Sequence, residues 1–256
     1  MRKSIYFFSI FILSNILFGQ KLEIKYQEIL KVDNENFKNS ITSEGAGTVN
    51  NDIKEQILKS LTEPKDFLLR IIDQESTYAQ QEKINNDQNS NMKISVSFSG
   101  GGNNLYKDIS KDFYLKDAQI FDKKYTIKDQ LKDYKWQLTR ETKSILGLEV
   151  KKAISTIDST KTVVAWYTPE IKIKNGPSEY GGLPGLILEV EQTLKNSKTI
   201  ASQIFRAVDI QETPEMKALV KPIDKKTINA NDFNELVEKQ NEKYKSMMGQ
   251  GVDKKD

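Results

Sequence analysis

Between residues 168 and 185 the chain carries three prolines and four glycines, then runs without a break into an apolar strand. The stretch Gly176–Glu191 reads GPSEYGGLPGLILEVE. Gly181 and Gly182 permit backbone angles with positive φ. Pro184 fixes its own φ and pushes Leu183 toward an extended conformation. Beyond it, Leu186, Leu188 and Val190 share one side of a predicted strand, and Glu189 and Glu191 take the other. A segment this constrained is not a floppy linker. It is a shaped bend feeding a core strand.

The first nineteen residues read as a targeting segment. Arg2 and Lys3 give a positive start, and Ile5 to Phe18 form an apolar run broken only by Ser9, Ser14 and Asn15. Gly19 offers a small residue for cleavage before Gln20. A membrane span needs about 20 apolar residues, so the alternative is an uncleaved anchor and not a comfortable span. The chain has no Cys, which rules out a lipid-modified cysteine and disulfides. The expectation is a soluble protein, periplasmic or secreted and not a lipoprotein. Its stability comes from a core, for which the 237 residues left after removing nineteen of 256 are ample.

Removing Arg2 and Lys3 takes the formal charge from +3 to +1, and only Arg70, Arg140 and Arg206 then remain among the arginines. Forked contacts to phosphate are made by arginine, so nucleic acid is not an expected partner. There is no histidine. Ser–His nucleophile activation, the usual zinc ligand sets and the commonest general base near neutral pH are all removed. Any catalysis has to rest on Asp, Glu, Lys, Ser or Tyr.

Along the chain, Leu22–Gln27 alternates as an opening strand, and a polar stretch from Asp33 to Asn51 reads as a loop. Ile53, Ile57, Leu58 and Leu61 recur at helical spacing and Pro64 ends that run. Strands are predicted at Phe67–Ile72, Ser76–Gln81, Met92–Phe98, Phe113–Leu115, Ala118–Phe121, Tyr125–Ile127, Trp136–Thr139, Ser144–Thr156, Thr162–Thr168, Leu186–Gln192 and Thr199–Val208. Phe233, Leu236, Val237, Gln240 and Tyr244 sit at helical intervals, with Asn231 as N-cap and Gly249 as stop. Many short strands with polar turns and no βαβ rhythm predict an α+β protein, mainly antiparallel β. The predicted architecture is a curved, meander-like sheet, half-barrel in form, with a C-terminal helix packed on it. Residues 20–250 form one domain and 251–256 a disordered tail.

Trp166, Tyr167, Pro169, Gly176, Pro177, Tyr180, Gly181, Gly182, Leu183, Pro184 and Gly185 form the candidate binding surface. The alternative is a structural corner, in which the prolines stop strand pairing and the aromatics cover the sheet end. Gly100–Gly102 lacks the Lys-Ser/Thr pair of a phosphate loop and reads as a turn. Glu170, Glu179, Glu189 and Glu191 invite comparison with paired hydrolytic acids, but alternating Glu on a strand usually marks its solvated face. Asn85–Asn91 lacks the glycine and terminal Glu of a calcium loop. Glu235, Glu238 and Glu242 offset Lys239, Lys243 and Lys245, which favours docking of the last helix on its own sheet over a membrane surface. No catalytic residue, metal site or cofactor is identified.

The pattern Ala165–Glu191 resembles the GLPGLI family of exported proteins from Bacteroidetes-type bacteria, whose hexapeptide stands here at Gly182–Ile187. Tyr134-Lys135-Trp136, Glu141-Thr142-Lys143, Ile145-Leu146-Gly147 and Lys152-Ala153 look like that family's approach to its motif. The resemblance implies export and a β-rich fold, and it brings no reaction with it. Leu148 and Val150 depart from a frequent Tyr and Cys, Lys172 from a frequent proline, and Ser178 from a common aromatic. The expected function is non-catalytic binding of an envelope partner protein or an apolar ligand through the Gly/Pro loop. The alternatives are a carboxylate-based hydrolase using Glu170 or Glu179, and a periplasmic carrier of lipid or another hydrophobic ligand.

Overall fold

Strand β1 (Lys21–Val32) buries Leu22, Ile24, Tyr26, Glu28 and Leu30, the even-numbered face of a regular alternation. In this computed structural model, residues 21–43, 50–81, 104–120, 122–195, 197, 199–222 and 227–249 are described. The targeting segment, Asn85–Asn91, the strand predicted at Met92–Phe98, Gly100–Gly102 and the tail 251–256 lie outside them.

β1 stands near the middle of a 12-stranded sheet. On one side β2 (Lys65–Ile72), β3 (Glu75–Gln80), β4 (Asn104–Asp108), β5 (Phe113–Ile120) and β6 (Lys123–Gln130) follow as a meander. On the other, β11 (Ile200–Glu212) pairs with β1, and β10 (Leu186–Leu194), β9 (Lys161–Thr168), β8 (Leu148–Asp158) and β7 (Gln137–Ile145) follow outward. These neighbours are all antiparallel; β12 (Thr227–Ile228) adds a short parallel pair to β6.

The sheet must curl. β6 and β7 stand ten positions apart in strand order, about 48 Å on a flat sheet. Leu131–Trp136, six residues, joins them, and the step from Gln130 to Gln137 can span at most about 25 Å. The predicted mainly antiparallel, curved sheet with a C-terminal helix is the observed architecture.

Helix α1 (Asn34–Ser43) occupies the start of the segment predicted as a loop. Asp33 caps it, its Oδ1 accepting from the Asn36 amide at 3.0 Å. Buried Phe37 gives too little apolar periodicity to read from sequence. Helix α2 (Asn51–Thr62) is the predicted helix, capped by Asn50, whose side chain accepts from Asp52 N, and it stops before Pro64. Phe37 and Leu61 pack with Leu30 and Ile200 as a small second core at one end of β1.

Other boundaries differ too. Ser144–Thr156 is not one strand: Leu146 and Gly147, both at positive φ, turn the chain in a two-residue hairpin between β7 and β8. β5 runs through the break predicted between Leu115 and Ala118. β4 has no apolar–polar alternation, with Leu105 to Asp108 all buried, and it went unpredicted. Helix α3 (Ala230–Gly249) is capped by Asn229, not Asn231, since Asn229 Oδ1 accepts from Asp232 N at 2.8 Å. It docks on β6 through its first turns. Phe233 meets Tyr125 edge-on at 5.7 Å, and the Ala230 amide donates to Asp129 Oδ2, while Leu236 is exposed.

Candidate functional site

The chain from Thr168 to Gly185 turns inward across the concave face. Asn175 and Gly181 form an isolated bridge, the Gly182 amide donates to Lys174 O at 3.1 Å, and the Ile187 amide donates to Asn175 O at 2.9 Å. Gly182 holds φ +85°, a region that side chains disfavour. Gly185 is required for space: a Cβ there would lie 2.1 Å from the Thr168 carbonyl oxygen. The described peptide bonds are trans, those before Pro177 and Pro184 included.

Four neighbours pin this bend. Tyr26 Oη donates to Ile187 O at 2.6 Å, Asn175 Nδ2 to Ser76 Oγ at 2.8 Å, and Trp136 Nε1 to Gly181 O at 2.9 Å. The fourth is Lys107 of β4. Its Nζ donates to the carbonyls of Gly176, Ser178 and Tyr180 at 2.9, 2.8 and 3.1 Å, with only 2% of the residue exposed. A lysine has three donors and meets three acceptors here. Burial pushes its ammonium down to about 7, while the Glu179 carboxylate pulls it back up.

The eleven candidate residues do not share one surface. Tyr167, Gly176, Pro177, Tyr180, Leu183 and Gly185 are buried, Pro169, Gly181 and Trp166 are half-buried, and Gly182 and Pro184 are exposed. Trp166 faces the outer side, where Lys143 Nζ stands 4.3 Å from its ring centre.

A cavity with polar and aromatic lining lies beside the bend. About 280 Å³ in volume, it is walled by the loop residues Ser178, Glu179 and Tyr180 and by Glu28, Tyr78, Lys116, Gln192 and Gln203 from five strands. Its aromatic walls are ordered. Phe67 and Tyr78 stack at 5.0 Å and 4°, and Tyr180 packs against Tyr134 and Phe205 at 5.2 and 5.9 Å. Tyr180 Oη donates to Gln192 Oε1 at 2.9 Å, and Lys116 pairs with Glu179 at 2.8 Å. Burial raises the carboxyl of Glu28 above the usual range, while a hydrogen bond from Gln203 and the charge of Lys65 oppose it. Glu28, Tyr78, Lys107 and Gln203 were missed from sequence. Glu28 alone carried a signal, as a charged residue in the apolar phase Leu22, Ile24, Tyr26, Glu28, Leu30.

The acids singled out from sequence are dispersed. Glu170 is exposed in a separate groove with Asp73, Asp209 and Glu212, away from Glu179. Glu189 is not on a solvated face. It is 8% exposed, between Lys143 and Arg206, each at 2.7 Å. A bulge at Leu188 between the paired residues Ile187 and Glu189 breaks the simple alternation there. Glu191 remains half-exposed, paired with Lys31 at 2.9 Å. Among the described residues no group of acids is placed to hold a metal ion.

The family model described as N-glycanase peptide, N-terminal domain, matches residues 55–230, more than half of the chain. The chain belongs to this family. The N-glycanase N-terminal domain match runs from within α2 to the first residue of α3, so it holds the bend, Lys107 and Tyr78, while β1 and Glu28 lie upstream. Two solved structures of PNGF-II, in C2 and P21 space groups, are similar in fold. Each is 20% identical with a TM-score of 0.51, and they cover 86% and 85% of this chain. The chain spans only 33% of each of them. No curated protein matches.

Proposed function

We propose that the chain is an exported, non-catalytic binding domain whose ligand or partner is recognised at the cavity beside the Gly/Pro bend. The observation that carries this is the bend's own contribution to the cavity: Ser178, Glu179 and Tyr180 form a wall that Lys107 holds from beneath. Rigidly placed polar groups around a concave site are the usual form of a binding pocket. Family membership adds support, because the matching family model describes the N-terminal domain of an N-glycanase peptide. The GLPGLI resemblance at Gly182–Ile187 and the apolar N-terminal segment support export. No helix among the described residues is long and apolar enough to cross a membrane.

The cavity's charged and amide groups, set among aromatic walls, favour a ligand that carries polar groups over a wholly apolar one, which with a partner protein was the expectation from sequence. Native mass spectrometry of the protein purified from its own envelope provides the test. A bound mass that disappears after unfolding and refolding is expected. A chain with no added mass, which gains none on return to envelope extract, refutes the proposal.

A further inference from the structure

The tip of the β7–β8 hairpin carries leucine where its turn calls for asparagine or glycine. Leu146 at φ +52° and Gly147 at φ +80° fill a two-residue turn whose central positions both need positive φ. Bulky side chains seldom adopt that backbone. The residue is also 48% exposed. Disfavoured by the turn and by water alike, it is the kind of local strain that accompanies function. Leu146 borders a groove of about 1150 Å³ at the end of the sheet where β1 begins and β11 finishes. Leu22, Leu148, Ile171 and Ile210 give the groove an aliphatic lining. Asp73, Glu170, Asp209 and Glu212 line it too, and all four are exposed.

Among the described residues, Lys21 is the groove's one base, and its Nζ donates to Pro214 O at 3.0 Å. No ion pair between described residues involves the four carboxylates. Across the chain Lys and Arg slightly outnumber Asp and Glu, 39 to 36, so four acids to one base is a local excess. Such a rim repels polyanions, which sets aside nucleic acid and acidic lipid surfaces. It attracts cations, while the lining takes apolar side chains. The space exceeds the roughly 300–1,000 Å³ usual for one small molecule and has room for several residues of a chain. We propose that the groove docks a partner-protein segment in which an apolar side chain is flanked by lysine or arginine. It shares no lining residue with the cavity beside the bend, so the two proposals stand independently.

Titration of the full chain with three capped peptides, followed by protein NMR, provides the test. One peptide alternates Lys and Leu, the second has Glu for every Lys, and the third has Ser for every Leu. The first alone should bind, shifting the resonances of the groove, and raised salt should weaken it. Leu146→Asn, and a double variant Asp73→Asn with Glu212→Gln, should each lower that affinity by about tenfold or more. Asparagine suits the turn better than leucine, so Leu146→Asn folds with a melting temperature equal to or above the parent's. Its lost binding is therefore not lost structure. Affinity equal in parent and variants, or unchanged by either peptide exchange, overturns the proposal, as does no binding at all. A parent that sediments as a dimer and is dissociated by Leu146→Asn assigns the groove to a second copy and overturns it too.

Discussion

Lys107 of β4 places its Nζ 2.8 Å from the carbonyl oxygen of Ser178, joining one wing of the sheet to a bend that belongs to the other. The contact is buried and is shared with two further carbonyls. Replacing Lys107 with Met keeps much of the apolar stem and leaves three acceptors to find other donors. Chemical denaturation should show a loss of about 2–4 kcal/mol, since stranded buried polar groups cost about 1–3 kcal/mol each and partial relaxation recovers some of it.

The same lysine makes stability depend on pH. Its folded value is depressed from the ordinary 10.5 to about 7, so between those values the unfolded chain binds the extra proton. Stability then rises with pH across that window, because the unfolded state carries more protons. Relative to Lys107→Met, the parent should gain stability as pH increases from 7 toward 10.5 and show a constant difference below 7. A difference that stays flat across the window would refute the depressed value.

Gly185→Ala tests the close approach at the end of the bend. The added methyl meets the Thr168 carbonyl at 2.1 Å, and backbone cannot move aside as a side chain tip does. A loss of about 3 kcal/mol or more is expected, read as a fall in melting temperature.

Leu183 is 1% exposed. Leu183→Ala should cost about 2–5 kcal/mol, the range for large-to-small changes in a core. The effect appears in thermal unfolding.

Glu189 and Glu191 are two residues apart on one strand and differ in burial. Glu189→Ala breaks the pairs with half-exposed Lys143 and Arg206 and should cost about 1–2 kcal/mol. Glu191→Ala removes a more exposed pair with Lys31 and should cost under about 1 kcal/mol. Denaturation midpoints of the two variants give the comparison.

Local signals explain what the sequence revealed. Ile53, Leu58 and Leu61 mark α2 by their spacing, and Pro64 marks its end, because both effects act within a few residues. The constraint in Gly176–Gly185 was equally legible from its glycines and prolines. Its purpose was not, since Lys107 lies 69 positions from Gly176 and nothing in Leu105-Tyr106-Lys107 shows that an ammonium turns inward. The hairpin at Leu146-Gly147 was hidden because Leu is an uncommon residue at positive φ. The cavity residues come from nine strands, β1 to β5 and β8 to β11, together with the bend and the β6–β7 connection, and only the curl of the sheet brings them together.

The seam between β1 and β11 pairs Tyr26 with Ala207. Both leaves of the sheet can assemble from neighbouring hairpins. The opening strand, however, acquires its second partner only after almost the whole polypeptide has been made. Closing so long a loop carries an entropic cost that local pairing does not, and non-local pairing of this kind is slow. Pairing of β1 with β11, which waits for residues 200–212 to be made, is therefore the expected slow step in closing the sheet.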